Sequence, residues 1–176
     1  MKESIKKEIE VPEGVTVNID GKLLSVKGTQ GENQRHFSYP TISLSYENNK
    51  IFISAEKASK REKRMIGTYE AHINNMIKGV QGKFAYTLKI CSGHFPMNVT
   101  VSGNELTIKN FLGEKHPRKI SFPDKVSVKV NGTDVEIESC CKELAGQIAA
   151  KIEQLCRITD KDIRIFQDGL YITKKA

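Results

Sequence analysis

The feature that most constrains this 176-residue chain is that it repeats itself. Pro12, Val15, Thr16 and Val17 recur as Pro96, Val99, Thr100 and Val101. Once two residues are dropped from a turn, Gly21, Leu24, Val26, Lys27, Gly31 and Glu32 fall on Gly103, Leu106, Ile108, Lys109, Gly113 and Glu114. Tyr39-Pro40 then matches Phe122-Pro123, Ile42, Leu44, Ile51 and Ile53 match Val126, Val128, Val135 and Ile137, and Met65, Gly67, Ile73 and Met76 match Leu144, Gly146, Ile152 and Leu155. Matches in one order, with gaps confined to turns, mean one duplicated unit, since two copies are too few for a solenoid. Two tandem domains are expected, 1–82 and 83–176, with the boundary near Gly79 to Lys83, where Gly79 and Gly82 end a helix.

Each copy has the same local grammar. Val15-Val17-Ile19 and Leu24-Val26 alternate around Asp20-Gly21, the period of a half-buried hairpin. A second hairpin follows in each copy, across Asn48-Asn49 in the first and Asn131-Gly132 in the second. The period then becomes helical. Met65, Ile66, Tyr69, Ile73, Met76 and Ile77 form one apolar stripe behind a Ser59/Glu62 capping box, and Leu144, Ile148, Ile152 and Leu155 form the other. The fold class is α+β: two duplicated domains, each a small antiparallel or mixed sheet with one face covered by a helix, because each element then buries its single apolar face.

Composition narrows the partners. A hydrophobic share of 38% supports a modest core and is too high for disorder. The 28 Lys and Arg exceed the 21 Asp and Glu, giving +7 and a pI near 9.2, which favours a polyanion through long-range attraction and counterion release. Charge alone does not choose nucleic acid over other polyanions, and it makes an anionic membrane a poorer match. Lys2, Glu3, Lys6, Lys7, Glu8 and Glu10 rule out an apolar secretory core at the start, and no run reaches membrane-spanning length. Cys91, Cys140, Cys141 and Cys156 have no C-x-x-C spacing, so a reducing cytoplasm is expected.

Catalytic and cofactor chemistry finds little support. His36, His72, His94 and His116 lie far apart without metal-ligand spacing, and no phosphate-cradling glycine motif occurs. No metal, cofactor or enzymatic activity is expected. An enzyme using Cys91 and a histidine stays as a third hypothesis, although no activating motif surrounds that cysteine. Glu136 and Glu138 share a strand face, which is also the look of a solvated strand.

Three basic clusters carry more information. Lys57, Lys60, Arg61, Lys63 and Arg64 cover the start of the first helix, where cations oppose the macrodipole; a phosphate or acidic neighbour and a plain solvated face both fit. Lys109, Lys115, His116, Arg118 and Lys119 flank Asn110-Phe111-Leu112-Gly113, a loop that permits close backbone approach while its cations reach phosphates on either side. Phe111 fits either a base stack or burial. Lys161, Arg164, Lys174 and Lys175 mark the C-terminal segment. With no Trp in the chain, shape and phosphate recognition of folded RNA is favoured over stacking on single strands.

These residues resemble a known family, large-subunit ribosomal protein six in its archaeal and eukaryotic form. The resemblance is carried by Gln154, Ile158, Lys161, Arg164, Phe166, Asp168-Gly169-Leu170-Tyr171-Ile172 and Lys175 at the family's spacing. It extends to His94-Phe95-Pro96-Met97-Asn98-Val99, Asn110 to Lys115 and Ile9 to Val15. Such a resemblance implies a cytoplasmic ribosomal protein whose second domain contacts large-subunit rRNA near the sarcin-ricin stem and the landing area of translational GTPases, beside neighbouring ribosomal proteins and away from membranes. It also implies an RNA contact made by Lys109, Asn110, Gly113, Lys115, His116, Arg118 and Lys119 together with Lys161, Arg164, Phe166, Gly169, Tyr171, Lys174 and Lys175, with Asp168-Gly169 shaping a turn. Gly28-Thr29-Gln30-Gly31 departs from the family by lacking a proline after the first glycine. The alternative reading is a protein-interaction module, with the first domain's sheet edge or helix docking another ribosomal protein.

Overall fold

Asn48 and Asn49 join two strands with φ of 50° and 59°, the paired left-handed turn whose twist matches that of a hairpin. Gly132, at φ 62°, opens the corresponding turn in the second copy, which comprises Gly132 and Thr133 rather than Asn131 and Gly132. Such turns set the register of their strands and so decide which side chains face the core. A computed structural model describes residues 3–176; Met1 and Lys2 of the charged opening lie outside the described residues.

The chain divides after Lys83 into two compact units. In the first, β1 (Glu3–Glu10), β6 (Lys50–Ala58) and β5 (Ser43–Glu47) form one sheet in the order β1-β6-β5. A second sheet joins β2 (Thr16–Asp20), β3 (Leu23–Gly28) and β4 (Gly31–His36). Helix α1 (Lys60–Gln81) packs on β6 and β1 of one sheet and on β3 and β4 of the other. Leu24, Val26, Ile51, Ile53, Ile73 and Val80 are wholly buried between these layers.

The second unit repeats the plan. β7 (Phe84–Cys91), β12 (Asp134–Ser139) and β11 (Val126–Asn131) take the places of β1, β6 and β5, and β8 (Asn98–Ser102), β9 (Glu105–Lys109) and β10 (Arg118–Ser121) those of β2, β3 and β4. Helix α2 (Lys142–Leu155) covers them. One strand is new: β13 (Gly169–Lys174) pairs with the outer edge of β7, from Gly169 opposite Cys91 to Lys174 opposite Thr87. Every strand pairing among the described residues is antiparallel. The expected α+β duplication is present, with the sheet of each unit divided in two.

Three local expectations need correction. Gly79 does not end the first helix but is buried inside it, and Gly82 caps the helix with an extended φ of −145°. Ala145 and Ala149, not Leu144 and Leu155, are the fully buried partners of Ile148 and Ile152 on α2, because small side chains let the helix approach the sheet closely. β1 was not anticipated, since Ile5 and Ile9 are its only apolar residues among charges. At the departing loop, Thr29 and Gln30 form a tight turn between β3 and β4, and the Gln30 amide donates to the Val80 carbonyl at 3.0 Å.

The capping box is present as expected. The Ser59 hydroxyl accepts from the Arg61 amide at 3.2 Å, and the Glu62 carboxylate accepts from the Ser59 amide at 2.8 Å. Bonds from the Ser59 hydroxyl and amide hold the Glu62 carboxyl at about 2, against an ordinary 4.5. A carboxyl whose pKa is depressed by folding stabilises the fold above its unfolded pKa and loses that contribution as pH falls through the folded one. Glu62→Gln is therefore expected to lower the urea midpoint near neutral pH, with its gap to the parent chain closing between about 4.5 and 2. A gap independent of pH across that window would refute the assignment.

Candidate nucleic-acid interface

Asn110 follows β9 in the left-handed region at φ 60° and donates its side-chain amide to the Pro96 carbonyl at 3.0 Å. This bond starts a bracket. Phe95, 46% exposed, lies against Gly113, where an added Cβ would meet its ring at 3.5 Å. Gly113 itself sits at φ 79°, a conformation that side chains resist, so the loop tip requires glycine. Residues 94–96 thereby fix the Gly113 loop from one side.

The same segment reaches the C-terminal stretch. Asp168, 1% exposed, accepts from the amides of Gly93 at 2.6 Å and His94 at 3.1 Å, and pairs with Nδ1 of His94 at 2.6 Å. Burial pushes the Asp168 carboxyl up, but the bonds from the His94 side chain and the two amides outweigh it and hold the group below its usual range. The ring of His94 stacks on Phe166 with centroids 4.6 Å apart, and Lys161 Nζ lies 4.8 Å from the Phe166 centroid. Asp168-Gly169 thus does more than shape a turn: it locks residues 93–94 to the start of β13.

The structure brings together Lys109, Asn110, Gly113, Lys115 and His116 at the loop, and Lys161, Phe166, Gly169 and Tyr171 on the other arm of the bracket. Lys109, Lys115, His116, Lys161 and Tyr171 are exposed, Phe166 is half-buried, and Gly169 is buried. Arg157, which the sequence reading left out, lines the groove beside Phe166 and Tyr171. Open grooves flank the segment on both sides and share Ile163 and Tyr171.

Other expected contacts are placed differently. Arg118 faces inward: it binds Glu114 through two nitrogens, at 2.8 and 2.5 Å, and donates to the Leu155 carbonyl at 2.5 Å. Its guanidinium covers the ring of Phe111 at 4.2 Å. It is a clamp for the loop and not a free phosphate ligand, because a guanidinium's planar fork is satisfied by such a set. Phe111 is 1% exposed, which settles its two readings in favour of burial. Lys119 pairs with Glu105 at 2.7 Å, and Arg164 with Asp162 at 2.7 Å. Lys174 ends β13 and Lys175 follows it, roughly 17 Å from Gly169 by strand rise, so they lie a strand's length from the Asp168-Gly169 end of the bracket.

Internal pairing has an electrostatic consequence. Glu114, Asp162 and Asp168 are occupied by Arg118, Arg164 and His94, while Lys109, Lys115 and Arg157 have no ion-pair partner among the described residues. Lys109, Lys115 and Arg157 thus keep their charge free for a partner, while Glu114, Asp162 and Asp168 are engaged within the frame. Sequence reasoning missed the His94-Asp168 bond, although both residues lay in segments noted for their resemblance; nothing local signals a pairing across such a separation. Among the described residues no group of three His, Cys, Asp or Glu could hold a metal ion, and no helix is long and apolar enough to cross a membrane.

The sequence model of the family described as Ribosomal protein L6 matches residues 11–83 and 95–169, one copy in each unit. The chain belongs to the ribosomal protein L6 family. Similar proteins include the "Large ribosomal subunit protein uL6" of Methanococcus vannielii, 45% identical with 98% of this chain and 94% of the relative covered. The protein of the same description from Nanoarchaeum equitans is also 45% identical, over 98% of this chain and 94% of its own length. That of Methanocella arvoryzae is 44% identical over 97% of both. These are ribosome components and not enzymes, and the hypothesis of a Cys91-histidine enzyme falls with them. In the L6 frame the second match stops at Gly169, so nearly all of β13 lies beyond it.

Proposed function

We propose that this protein is a structural constituent of the large subunit of the cytoplasmic ribosome, and that the bracketed surface of its second unit binds large-subunit rRNA. The observation that carries the reading is the set of cations without an ion-pair partner among the described residues, Lys109, Lys115, Arg157 and Lys161, held on a frame in which Glu114, Asp162 and Asp168 are paired internally. Phosphate contacts dominate RNA affinity, and a rigid frame lowers the cost of ordering them. With Phe111 buried and only Phe166, Phe95 and Tyr171 near the surface, stacking is subordinate to phosphate and shape recognition. The family resemblance supports a finer placement beside the sarcin-ricin stem and the landing site of translational GTPases.

A neighbouring large-subunit protein is a second reading for one edge of this surface. Ile163 and Ile165 are 72% and 63% exposed and both line one of the open grooves, and adjacent apolar side chains at a groove are where a partner would exclude water.

Binding to purified large-subunit rRNA should weaken steeply with salt. Replacing Lys109, Lys115, Arg157 or Lys161 by Gln is expected to reduce the log-log salt slope by about one each. Lys174→Gln with Lys175→Gln should change it less than any two of these. Salt-independent binding, or equal slopes in all variants, would overturn the proposal.

A further inference from the structure

The solvent-facing side of α1 in the first unit has no role in the surface just described. Lys60, Lys63, Arg64, Gly67, Ala71 and, two turns further on, Lys78 fall on this side of the helix, and all six are exposed. The opposite side, from Ile66 through Tyr69 and Ile73 to Ile77, is buried. Lys60, Lys63, Arg64 and Lys78 have no ion-pair partner among the described residues. Glu62 and Glu70, the only acids of the helix, sit off this side and are engaged, Glu62 in the cap and Glu70 with Lys7.

Such an arrangement works against the helix. Lys60 repels Lys63 and Arg64 one turn on, and all three oppose the positive end of the macrodipole. The duplicated helix provides a control within the same chain. Along α2 the exposed residues are Glu143, Gln147, Lys151 and Gln154, a mixed and nearly neutral side. Arg64 aligns with Glu143, so two copies of one ancestral helix carry opposite charges at the same place.

We infer that the outward side of α1 is a second RNA-binding surface, which seats the phosphate backbone of a structured RNA independently of the second unit. An acidic protein would also be attracted by the charge, but a protein interface needs an apolar centre inside its polar rim. This side offers no exposed side chain more apolar than Ala71. Nucleic-acid interfaces are built in the opposite way, positive throughout and without such a centre. The small Gly67 and Ala71 leave the long cationic side chains as the first groups a partner meets.

The test uses the full chain with Lys60→Gln, Lys63→Gln and Arg64→Gln combined. Against purified large-subunit rRNA its salt slope should be shallower than the parent's by about two to three. Its thermal midpoint should stay level or rise, because the substitutions remove repulsion and touch no buried group. An unchanged slope overturns the inference; if the second-unit variants still alter theirs, the proposed function stands without it. In assembled large subunits, a benzophenone crosslinker at Ala71 should give an RNA adduct. A protein adduct, or none to RNA, overturns the inference equally.

Discussion

Phe111→Ala is expected to destabilise the second unit by about 3–5 kcal/mol, the usual cost of emptying a wholly buried aromatic position. The ring fills the core beneath the Gly113 loop and supports the guanidinium of Arg118, which ties Glu114 to the C-terminal end of α2. Losing it removes both the packing and the platform. Urea unfolding should show the loss in the second unit's transition, and rRNA affinity should fall although no cation has been altered. Phe111→Leu, which keeps most of the apolar volume but not the aromatic face, should recover much of the stability. A loss below about 1 kcal/mol in Phe111→Ala would mean that the loop is not built on this side chain.

Asp168→Ala is expected to cost about 2–3 kcal/mol, because two backbone amides and an imidazole lose the acceptor they share in a buried site. Asp168→Asn should cost less, since a carbonyl oxygen still serves the amides while the charge-assisted bond to His94 is lost. Both variants release His94 from its orientation over Phe166, so both should weaken rRNA binding while leaving the salt slope unchanged, the number of cations being constant. A slope that falls with Asp168→Asn would mean that the carboxylate places the cations themselves.

The pH behaviour of this pair follows from the direction of the Asp168 shift. Because the group is held below its ordinary value in the fold, its contribution is full above the unfolded carboxylate range and disappears as pH falls through the folded value. Acid should therefore loosen the bracket of the second unit and the cap of α1 by the same mechanism, through different residues.

How legible the molecule was depends on the range of each interaction. The hairpin turn at Asn48-Asn49, the capping box at Ser59 and Glu62, and the apolar stripe of α1 are local. Turn dihedrals, caps and periodicity act over a few residues, and the sequence displays them directly. The candidate site was only half legible. Its cations were visible as clusters, but whether a cation faces water or folds inward depends on what a distant segment offers it. Arg118 has Glu114 four residues before it in the chain, but it turns inward over Phe111 because the Leu155 carbonyl is also within reach, and no local pattern encodes that second partner.

From the sequence alone came the duplication, the α+β class, the positive surplus and the family to which the chain belongs, since each rests on residue identity and spacing. Tertiary structure alone decided that β13 would extend the sheet of β7, that Asp168 would hold residues 93–94, and that Lys174 and Lys175 would lie a strand's length from Gly169. Those outcomes are set by contacts between segments far apart in the chain. Their free energy depends on the closure of the whole core, which no short stretch of residues specifies.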